Sequence, residues 1–455
     1  MSRTPDPPQT TRGPIDPATR TLLHDLFPGR LAPSERWGLG KTRALLEAMG
    51  RPERAFASVH VGGTNGKGSV SALVASALRA AGHRVGLYTS PHLVRFEERI
   101  QVDGRPLATD LLQSVAGRLA PAVDAFDPAF FEAATALAFT AFREEGVEIA
   151  VVEVGLGGRL DATNVLEPLI AGVTNVGLDH AEFLGDTHAS VAREKAGIAK
   201  PDVPFLTTEA DPSVRAVLME RARALGARTL AVDASELGDL RWTGRGLDAR
   251  VERSGWGALD VWTPLPGAHQ ALNLLLAVRL LDLLPERWRP DRDALQQGLA
   301  RTVWPGRLDL RTVRGRPWLF DVAHNAEGIE ALARALPTFG LPRPTLALVG
   351  ILGDKPWRSM LERLGPLVDR ALLVEPPSAP ASRRWVPRDV EAWRGRADLP
   401  GVVWGGDLAA MLDAVGPDVA SVLVTGSAHT VGDAFGLLGI EPWPVAAEAD
   451  DPDAV

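Results

Sequence analysis

Short apolar runs alternate with segments of helical spacing along most of the chain. An apolar run at 56–61 leads into a glycine-rich turn, a stretch with apolar residues at helical intervals, and a second apolar run at 83–89. This order predicts a βαβ unit, in which a helix connects two parallel strands. Further runs typical of buried strands lie at 149–154, 169–176 and 203–208. We therefore predict the α/β class, with a P-loop-type, mainly parallel open sheet and helices on both faces.

A second series of apolar runs begins after a short stretch that contains proline and glycine. Its strands are expected at 318–325, 345–352, 370–377 and 419–427. Helical spacing appears between these runs, for example at 357–368. The pattern predicts a smaller, Rossmann-like α/β domain in the C-terminal part of the chain.

We expect the domain boundaries to follow composition. A Pro- and Thr-rich arm at 1–18 is predicted to be disordered, and a central domain to fill 19–301. The stretch at 302–307 is predicted to be a hinge to the C-terminal domain at 308–443, and the acidic segment at 444–455 to be a frayed tail.

Composition narrows the possible classes of function. The formal net charge of -8 argues against a nucleic-acid partner, because nucleic-acid binders usually carry a basic surplus. The chain has no cysteine, which excludes disulfides and thiolate metal sites and makes Mg²⁺, a hard ion bound by oxygen, the natural metal. No apolar run is long enough to cross a membrane, and the first residues lack the apolar core of a signal peptide, so we expect a cytoplasmic protein without membrane contact.

A glycine-rich loop at 62–69 joins the first predicted strand to its helix. Glycines allow successive backbone N–H groups to face one anion, the helix N-terminus contributes its dipole, and Lys67 can reach outer phosphates. Val61 occupies the first glycine position of the usual P-loop pattern, and Gly68 follows the lysine. A flexible glycine-rich turn is the alternative. We predict an ATP site formed by Gly63, Thr64, Asn65, Gly66, Lys67, Gly68 and Ser69.

The string G-T-N-G-K-G-S at 63–69 resembles the phosphate loop of the Mur ligase superfamily, in particular its folylpolyglutamate synthase and dihydrofolate synthase branch. Segments that resemble the same branch follow in order over roughly residues 40–435. The resemblance implies an ADP-forming ligase that uses ATP to add L-glutamate to dihydropteroate, to reduced folyl glutamates, or to both, through an acyl phosphate. It also implies a monomer whose partners are these small molecules.

The resemblance implies two magnesium sites, with Ser90, Glu153, His180 and Lys195 as ligands. For Glu153 the sequence agrees independently, because a carboxylate that ends a buried strand is costly unless it is paired or bound to metal. By themselves, Ser90 with Pro91 indicates a turn, His180 a structural histidine, and the segment around Lys195 a charged helix face. The lysine that matches Lys195 is carbamylated in the family, so we expect a carbamate there.

The resemblance also assigns the residues around the substrates. Asn273 matches the asparagine that contacts adenine, although a capped surface helix is the alternative for its segment. Arg307 matches an arginine that reaches ATP from the linker. Asp321 and His324 match residues of the cleft near ATP and glutamate, in a segment where Val322 and Ala326 replace the family's glycine and proline.

Ser427 lies in a segment that resembles the glutamate-binding part of the family, and it is a predicted glutamate-binding residue together with His324. The folate-side prediction includes Phe131, for which a core aromatic is an equal alternative, and the pair Asp161 and Asn164. Taken together, the predicted catalytic residues are Lys67, Lys195, His180, Arg307, His324 and Asp321.

Two alternative functions stay open at this point. The first is a monofunctional folylpolyglutamate synthase, since the sequence alone does not decide between acceptors. The second is a P-loop ATPase or binding module without ligase activity, which would release phosphate without added glutamate.

Overall fold

The computed structural model describes residues 38–394, 399 and 401–443, so the predicted arm at 1–18 and tail at 444–455 lie outside the described residues. Numbered in chain order, the strands are β1 Ala57–Gly62, β2 Val85–Tyr88, β3 Ile100–Val102, β4 Arg105–Pro106, β5 Ile149–Glu153, β6 Ile170–Val173, β7 Pro204–Thr207, β8 Arg228–Ala231, β9 Leu237–Thr243, β10 Gly246–Val251, β11 Leu259–Thr263, β12 Asp309–Val313, β13 Arg316–Asp321, β14 Thr345–Val349, β15 Arg370–Glu375, β16 Val402–Asp407 and β17 Ser421–Thr425. The helices are α1 Gly40–Ala48, α2 Lys67–Ala80, α3 Thr109–Phe126, α4 Phe130–Glu144, α5 Ala181–Leu184, α6 His188–Lys195, α7 Pro212–Ala224, α8 Gln270–Asp282, α9 Arg292–Ala300, α10 Ala326–Ala335, α11 Trp357–Leu364, α12 Pro387–Arg394, α13 Leu408–Asp413 and α14 Ala428–Leu438.

The first domain is built on an 8-stranded sheet with the order β4-β3-β2-β5-β1-β6-β7-β8. Neighbouring strands from β2 to β8 are parallel, and only the edge pairs that involve β3 and β4 are antiparallel. The central strands are apolar runs buried on both faces, as expected for a parallel sheet covered by helices. The predicted open, mainly parallel sheet is confirmed.

Alternation along β5 shows why helices cover both faces of this sheet. Ile149 and Val151 belong to a core shared with α2 and α8, whereas Ala150 and Val152 belong to a core shared with α3 and α4. Successive side chains of a strand point to opposite faces, so one apolar run supplies two cores. Among the described helices, none has the length and apolar character needed to cross a membrane.

A small antiparallel sheet, with the order β11-β10-β9, is an element that the sequence patterns did not predict. Its middle strand buries Leu247, Ala249 and Val251 in the core that includes α8. The outer strand β9 is largely exposed, so its sequence lacks the strong apolar signal of the central strands. The small sheet thus packs against α8 of the first domain.

The second domain is built on a 6-stranded sheet with the order β12-β13-β17-β14-β15-β16. All neighbouring strands are parallel except β12 and β13. Two cores lie on its opposite faces, one formed with α10 and α11 and the other with α13 and α14. The predicted separate α/β domain is confirmed, whereas the residue limits assigned to the hinge and domains stay predictions.

His60 in β1 provides a test of this packing. Its side chain is fully buried, and its Nε2 lies 2.8 Å from Thr163 Oγ1. Burial, aided by the charge of Lys200, lowers the pKa of His60 from 6.5 to about 3. As the pH falls, the imidazole of His60 is therefore protonated in the unfolded chain before it is protonated in the folded one. The contribution of neutral His60 to the free energy of unfolding is complete above pH 6.5 and is lost as the pH falls toward 3.

We expect the free energy of unfolding to decrease by up to about 1.4 kcal/mol per pH unit below pH 6.5 because of His60 alone. His60→Gln, which cannot take up this proton, should flatten that slope even if it lowers stability at every pH. Urea denaturation of both proteins at pH 7.5, 6 and 5 measures the difference. Equal slopes would contradict the assignment of acid sensitivity to His60.

Candidate functional site

The carboxyl ends of β1, β2, β5 and β6 lie side by side, and the predicted site residues follow them. In an open parallel sheet this edge is where ligands bind, because the loops diverge there and leave a crevice. The second domain faces the same edge through the loop after β13 and the start of α10. The site is therefore lined by two domains.

The phosphate loop is fixed by its own backbone contacts. Gly66 has a φ of 84° at the start of α2, and a Cβ at this position would lie 2.2 Å from Asn273 Oδ1. Thr64 N donates a hydrogen bond to Asn175 O at 2.9 Å, and Asn65 N donates to Asn175 Oδ1 at 3.0 Å. These bonds tie the loop to the segment after β6.

Three predicted residues meet beside this loop. Glu153 is the last residue of β5 and is 4% exposed. Its Oε2 accepts a hydrogen bond from Ser90 N at 3.2 Å, and Lys67 Nζ lies 3.9 Å from its Oε1. Burial raises the pKa of Glu153, and the positive charge of Lys67 opposes this rise. A buried carboxylate thus stands next to the lysine predicted to bind outer phosphates.

The oxygen atoms of Glu153 and of nearby Ser90 are of the kind that binds a divalent cation. A hard cation would compensate the carboxylate charge that burial destabilises. Across residues 38–394, 399 and 401–443 there is no group of three His, Cys, Asp or Glu side chains that could hold a metal without other ligands. Mg²⁺ at this position would take its further ligands from the Ser90 hydroxyl, a lysine carbamate, nucleotide oxygens or water.

Lys195 ends α6 and is 4% exposed. Its Nζ donates a hydrogen bond to Gly63 O in the phosphate loop at 2.8 Å. Burial, followed by repulsion from Lys67, lowers the pKa of Lys195 from 10.5 to about 7. A large fraction of this amine is therefore uncharged near neutral pH, which is the form that adds carbon dioxide.

A cluster across the two domains contains two residues to which the sequence patterns gave no role. Asp179 pairs with Lys355 of the second domain, and His324 Nε2 lies 3.6 Å from Asp179 Oδ2. His180 belongs to the same cluster, with its Nε2 3.9 Å from Asp179 Oδ2. Burial alone would raise the pKa of Asp179, but its bonds to His324 and Lys355 outweigh burial and hold that pKa well below its usual value.

The phosphate loop also contacts the second domain directly. Asn65 Nδ2 donates a hydrogen bond to Glu327 Oε2 at 3.1 Å, and Asn325 Nδ2 donates to Asn65 Oδ1 at 3.0 Å. Glu327 is a further residue that sequence reasoning missed, although its neighbour Ala326 ended the segment singled out for its likeness to the family. Asn65, a predicted ATP-binding residue, therefore contacts the second domain through its side chain.

Arg307 and Asp321 lie together at the start of the second domain. Burial lowers the pKa of Arg307, and the charges of Asp321 and Glu153 oppose this effect. Asp321 accepts hydrogen bonds from Leu308 N and Ala323 N, both at 2.9 Å. The Asp321 carboxylate therefore joins the backbone next to Arg307 to the segment that follows β13.

Two predicted ATP-binding residues, Ser69 and Asn273, are joined through Gln270. Gln270 Nε2 donates a hydrogen bond to Ser69 Oγ at 3.3 Å, and Asn273 Nδ2 donates to Gln270 Oε1 at 2.8 Å. The start of α8 is thereby attached to the start of α2. The structure brings Ser69 and Asn273 to one place, next to Gly66.

The predicted folate-side residues differ in how they are held. Phe131 is 41% exposed. Asp161 is buried and accepts hydrogen bonds from Leu156 N at 2.9 Å and Thr163 N at 3.0 Å, so its carboxylate shapes its own loop. Asn164 Nδ2 donates hydrogen bonds to Arg159 O in that loop and to Gly197 O in the segment after α6, both at 3.0 Å. Contact of Asp161 and Asn164 with a pterin stays a prediction.

Ser427 caps α14 in the second domain. Its Oγ donates a hydrogen bond to Gly350 O at 2.8 Å and accepts one from Thr430 N at 3.1 Å. The side chain is 2% exposed. Its hydroxyl is thus engaged in the fold, and direct binding of glutamate by Ser427 stays a prediction.

Family comparison divides the chain at the same place as the two large sheets. The Mur ligase middle domain matches residues 61–281. The Mur ligase, glutamate ligase domain, matches residues 306–429. The resemblance to Mur ligases is therefore confirmed separately for each of the two domains.

Curated relatives and solved structures agree with this division. The chain is 35% identical to the dihydrofolate synthase/folylpolyglutamate synthase of Bacillus subtilis (strain 168), over 76% of this chain and 81% of the relative. It is 34% identical to the Mycobacterium tuberculosis protein of the same name, over 92% and 93% of the two chains. The structure of Mycobacterium tuberculosis folylpolyglutamate synthase complexed with ADP has a TM-score of 0.82 and 31% identity, covering 93% of this chain and 99% of that one.

Proposed function

The chain belongs to the folylpolyglutamate synthase and dihydrofolate synthase family of Mur ligases, and we propose that it joins L-glutamate to a pterin-linked carboxylic acid. It is an ADP-forming ligase that uses ATP. The observation that carries the proposal is the buried Glu153 beside Lys67 of the phosphate loop, at an edge closed by the glutamate ligase domain.

The chemistry explains why ATP is required. A carboxylate does not react with an amine at neutral pH, because oxide would be the leaving group. Transfer of the γ-phosphoryl group to the carboxylate forms an acyl phosphate and ADP, and the amine of glutamate then displaces phosphate to form the amide. Since phosphoryl transfer depends mainly on positioning and charge neutralisation, a phosphate loop with well-placed cations is the equipment required.

Different residues of this chain bind the nucleotide, neutralise charge and position the reacting groups. Lys67 binds the outer phosphates, and Arg307 neutralises charge that develops during transfer. Asn273 and the loop residues hold the nucleotide. Asp321 keeps Arg307 in place through its backbone bonds, and His324 orients glutamate or the γ-phosphate from the second domain.

Ser90 and Glu153 are proposed to hold one Mg²⁺, and Glu153, His180 and carbamylated Lys195 a second. When bound, the ions would neutralise phosphate charge and polarise the phosphoryl group. The low pKa of about 7 and the burial of Lys195 support carbamate formation, because carbon dioxide adds to the neutral amine. Closure of the domains would exclude water that hydrolyses the acyl phosphate.

The acceptor is proposed to be both dihydropteroate and reduced folyl glutamates. Relatives from Bacillus subtilis and Mycobacterium tuberculosis carry both activities in their names, with 35% and 34% identity to this chain. Phe131 supports an aromatic acceptor, because its exposed ring can stack on a pterin. The reaction takes place between small molecules, and we propose that a monomer in the cytoplasm carries it out.

Release of ADP tests the proposal. Purified protein is incubated with ATP and Mg²⁺ in four mixtures, and ADP release is compared among them. Two mixtures contain glutamate with either dihydropteroate or tetrahydrofolate, and the other two contain each acceptor without glutamate. We expect both complete mixtures to stimulate ADP release and to form the glutamylated product. Turnover with only one acceptor would show a monofunctional enzyme, and ADP release independent of glutamate would contradict the ligase.

A further inference from the structure

His92, in the loop that follows β2, has one ring nitrogen fixed by a neighbour. Arg99 Nε donates a hydrogen bond to His92 Nδ1 at 2.8 Å. Arginine Nε is always a donor, so Nδ1 must be the acceptor and carries no proton. The ring proton is therefore on Nε2, and this tautomer follows from the hydrogen bond alone.

Arg99 cannot easily turn away from this bond. It is 7% exposed, and its guanidinium carbon lies 5.7 Å from the ring centre of Phe96, 5.1 Å from that of Phe130 and 6.0 Å from that of Phe131. Cation–π contacts with three rings hold a buried guanidinium in one orientation. The direction of the His92 ring is thereby set by residues of the first domain.

The loop of His92 touches the second domain. A Cβ at Gly432 would lie 1.9 Å from Leu93 O, so the backbone next to His92 is in close contact with α14. His429 lies three residues before Gly432 and shares its helix face. His92 therefore stands at the boundary between the domains, opposite the N-terminal turn of α14.

His429 has hydrogen-bonding groups and charges of both signs around it, with Asp433 the strongest of the charges. Its Nδ1 lies 2.9 Å from Ser378 Oγ, and Arg383 and Arg99 both act on it electrostatically. The carboxylate on this face, Asp433, accepts a hydrogen bond from Ser378 N at 2.8 Å. In the described part of the chain, no side chain or backbone oxygen accepts from His92 Nε2. An N–H donor at the boundary between the domains can bind a carboxylate oxygen of a ligand.

We propose that His92 Nε2–H donates a hydrogen bond to a carboxylate oxygen of the incoming amino acid, and that Arg99 positions His92 for this contact. The inference rests on the proposed function and on the predicted role of Ser427, at the start of α14, in binding glutamate. The first domain then contributes to amino-acid recognition through His92. This links glutamate binding to domain closure, because His92 reaches a glutamate bound at the second domain only when the two domains are together.

Two substitutions at one position separate the two ring nitrogens. In His92→Asn, the amide oxygen can take the place of Nδ1 and accept from Arg99, but no donor reaches the position of Nε2. In His92→Gln, the amide nitrogen can reach the position of Nε2. We expect His92→Asn to raise the KM for glutamate about tenfold, the effect of losing a hydrogen bond to a charged group, with the KM for ATP and for the acceptor within about twofold of wild type. His92→Gln should recover most of the glutamate affinity.

His83→Asn is the matched control, because His83 precedes β2 at the opposite end of the strand and packs on Trp288. It should leave all three KM values unchanged. An unchanged KM for glutamate in His92→Asn, or a rise in the KM for the acceptor instead, would overturn the inference. These results differ from failure of the proposed function, in which wild-type protein itself would show no glutamate-dependent ADP release.

Discussion

Lys195→Ala is expected to abolish ligation, with a loss in turnover of at least about a hundredfold, while ATP binding stays within a fewfold of wild type. Lys195 is buried, and its Nζ contacts Gly63 O of the phosphate loop at 2.8 Å. Removing it deletes the amine that is proposed to become an anionic oxygen ligand. The loop keeps its bonds to Asn175, so the nucleotide cradle remains. Steady-state turnover and calorimetric titration with a non-hydrolysable ATP analogue measure the two effects.

Two further variants support the interpretation of Lys195→Ala. Lys195→Met keeps most of the side-chain volume and should be equally inactive, which excludes a cavity as the cause. Arg193→Ala changes an exposed basic residue of the same helix and should retain at least half of the activity. With ¹³C-labelled bicarbonate, wild type should show a carbamate signal that Lys195→Met lacks. Turnover close to normal in Lys195→Ala would remove the carbamate from the mechanism.

Glu153→Gln is expected to reduce turnover by on the order of 10²- to 10³-fold. The carboxylate lies 3.9 Å from Lys67 Nζ and acts electrostatically on Arg307. Glutamine keeps the shape of the side chain and an oxygen that can accept from Ser90 N. It removes the negative charge that is proposed to bind a divalent cation. The loss should be only partly offset by raising the Mg²⁺ concentration.

Glu148→Gln is the matched control for Glu153→Gln. Glu148 immediately precedes β5, at the opposite end of the same strand, and its Oε2 accepts a hydrogen bond from Arg84 N at 2.9 Å. We expect less than a twofold change in turnover for this variant. Equal activity of the two variants would show that the charge at Glu153 has no special role.

The apolar runs predicted the two large sheets well, because a parallel strand buried on both faces leaves an uninterrupted apolar signal in the sequence. Glu153 and Lys67 were predictable for a related reason, since Glu153 ends such a run and Lys67 follows another after the glycine-rich loop. The antiparallel sheet of β9 to β11 was missed because β9 is mostly exposed and carries polar residues among its apolar ones.

Contacts that depend on how distant segments meet could not be predicted. Asp179 and Lys355 pair across the two domains, and neither has a signal in its own segment that identifies its partner. The bond between Arg99 and His92 depends on the shape of a loop rather than on spacing. The resemblance implies that Asp161 contacts the pterin; its oxygens accept hydrogen bonds from the backbone of its own loop, and the pterin contact stays a prediction.

Transfer of oxygen from the acceptor to phosphate tests the central claim most directly. The acceptor is prepared with ¹⁸O in its reacting carboxylate, and the inorganic phosphate formed with ATP and glutamate is analysed by mass spectrometry. If the carboxylate attacks the γ-phosphorus, one ¹⁸O atom enters each phosphate and the other remains in the amide carbonyl. Phosphate that contains no ¹⁸O, formed together with glutamylated product, would contradict the acyl-phosphate mechanism.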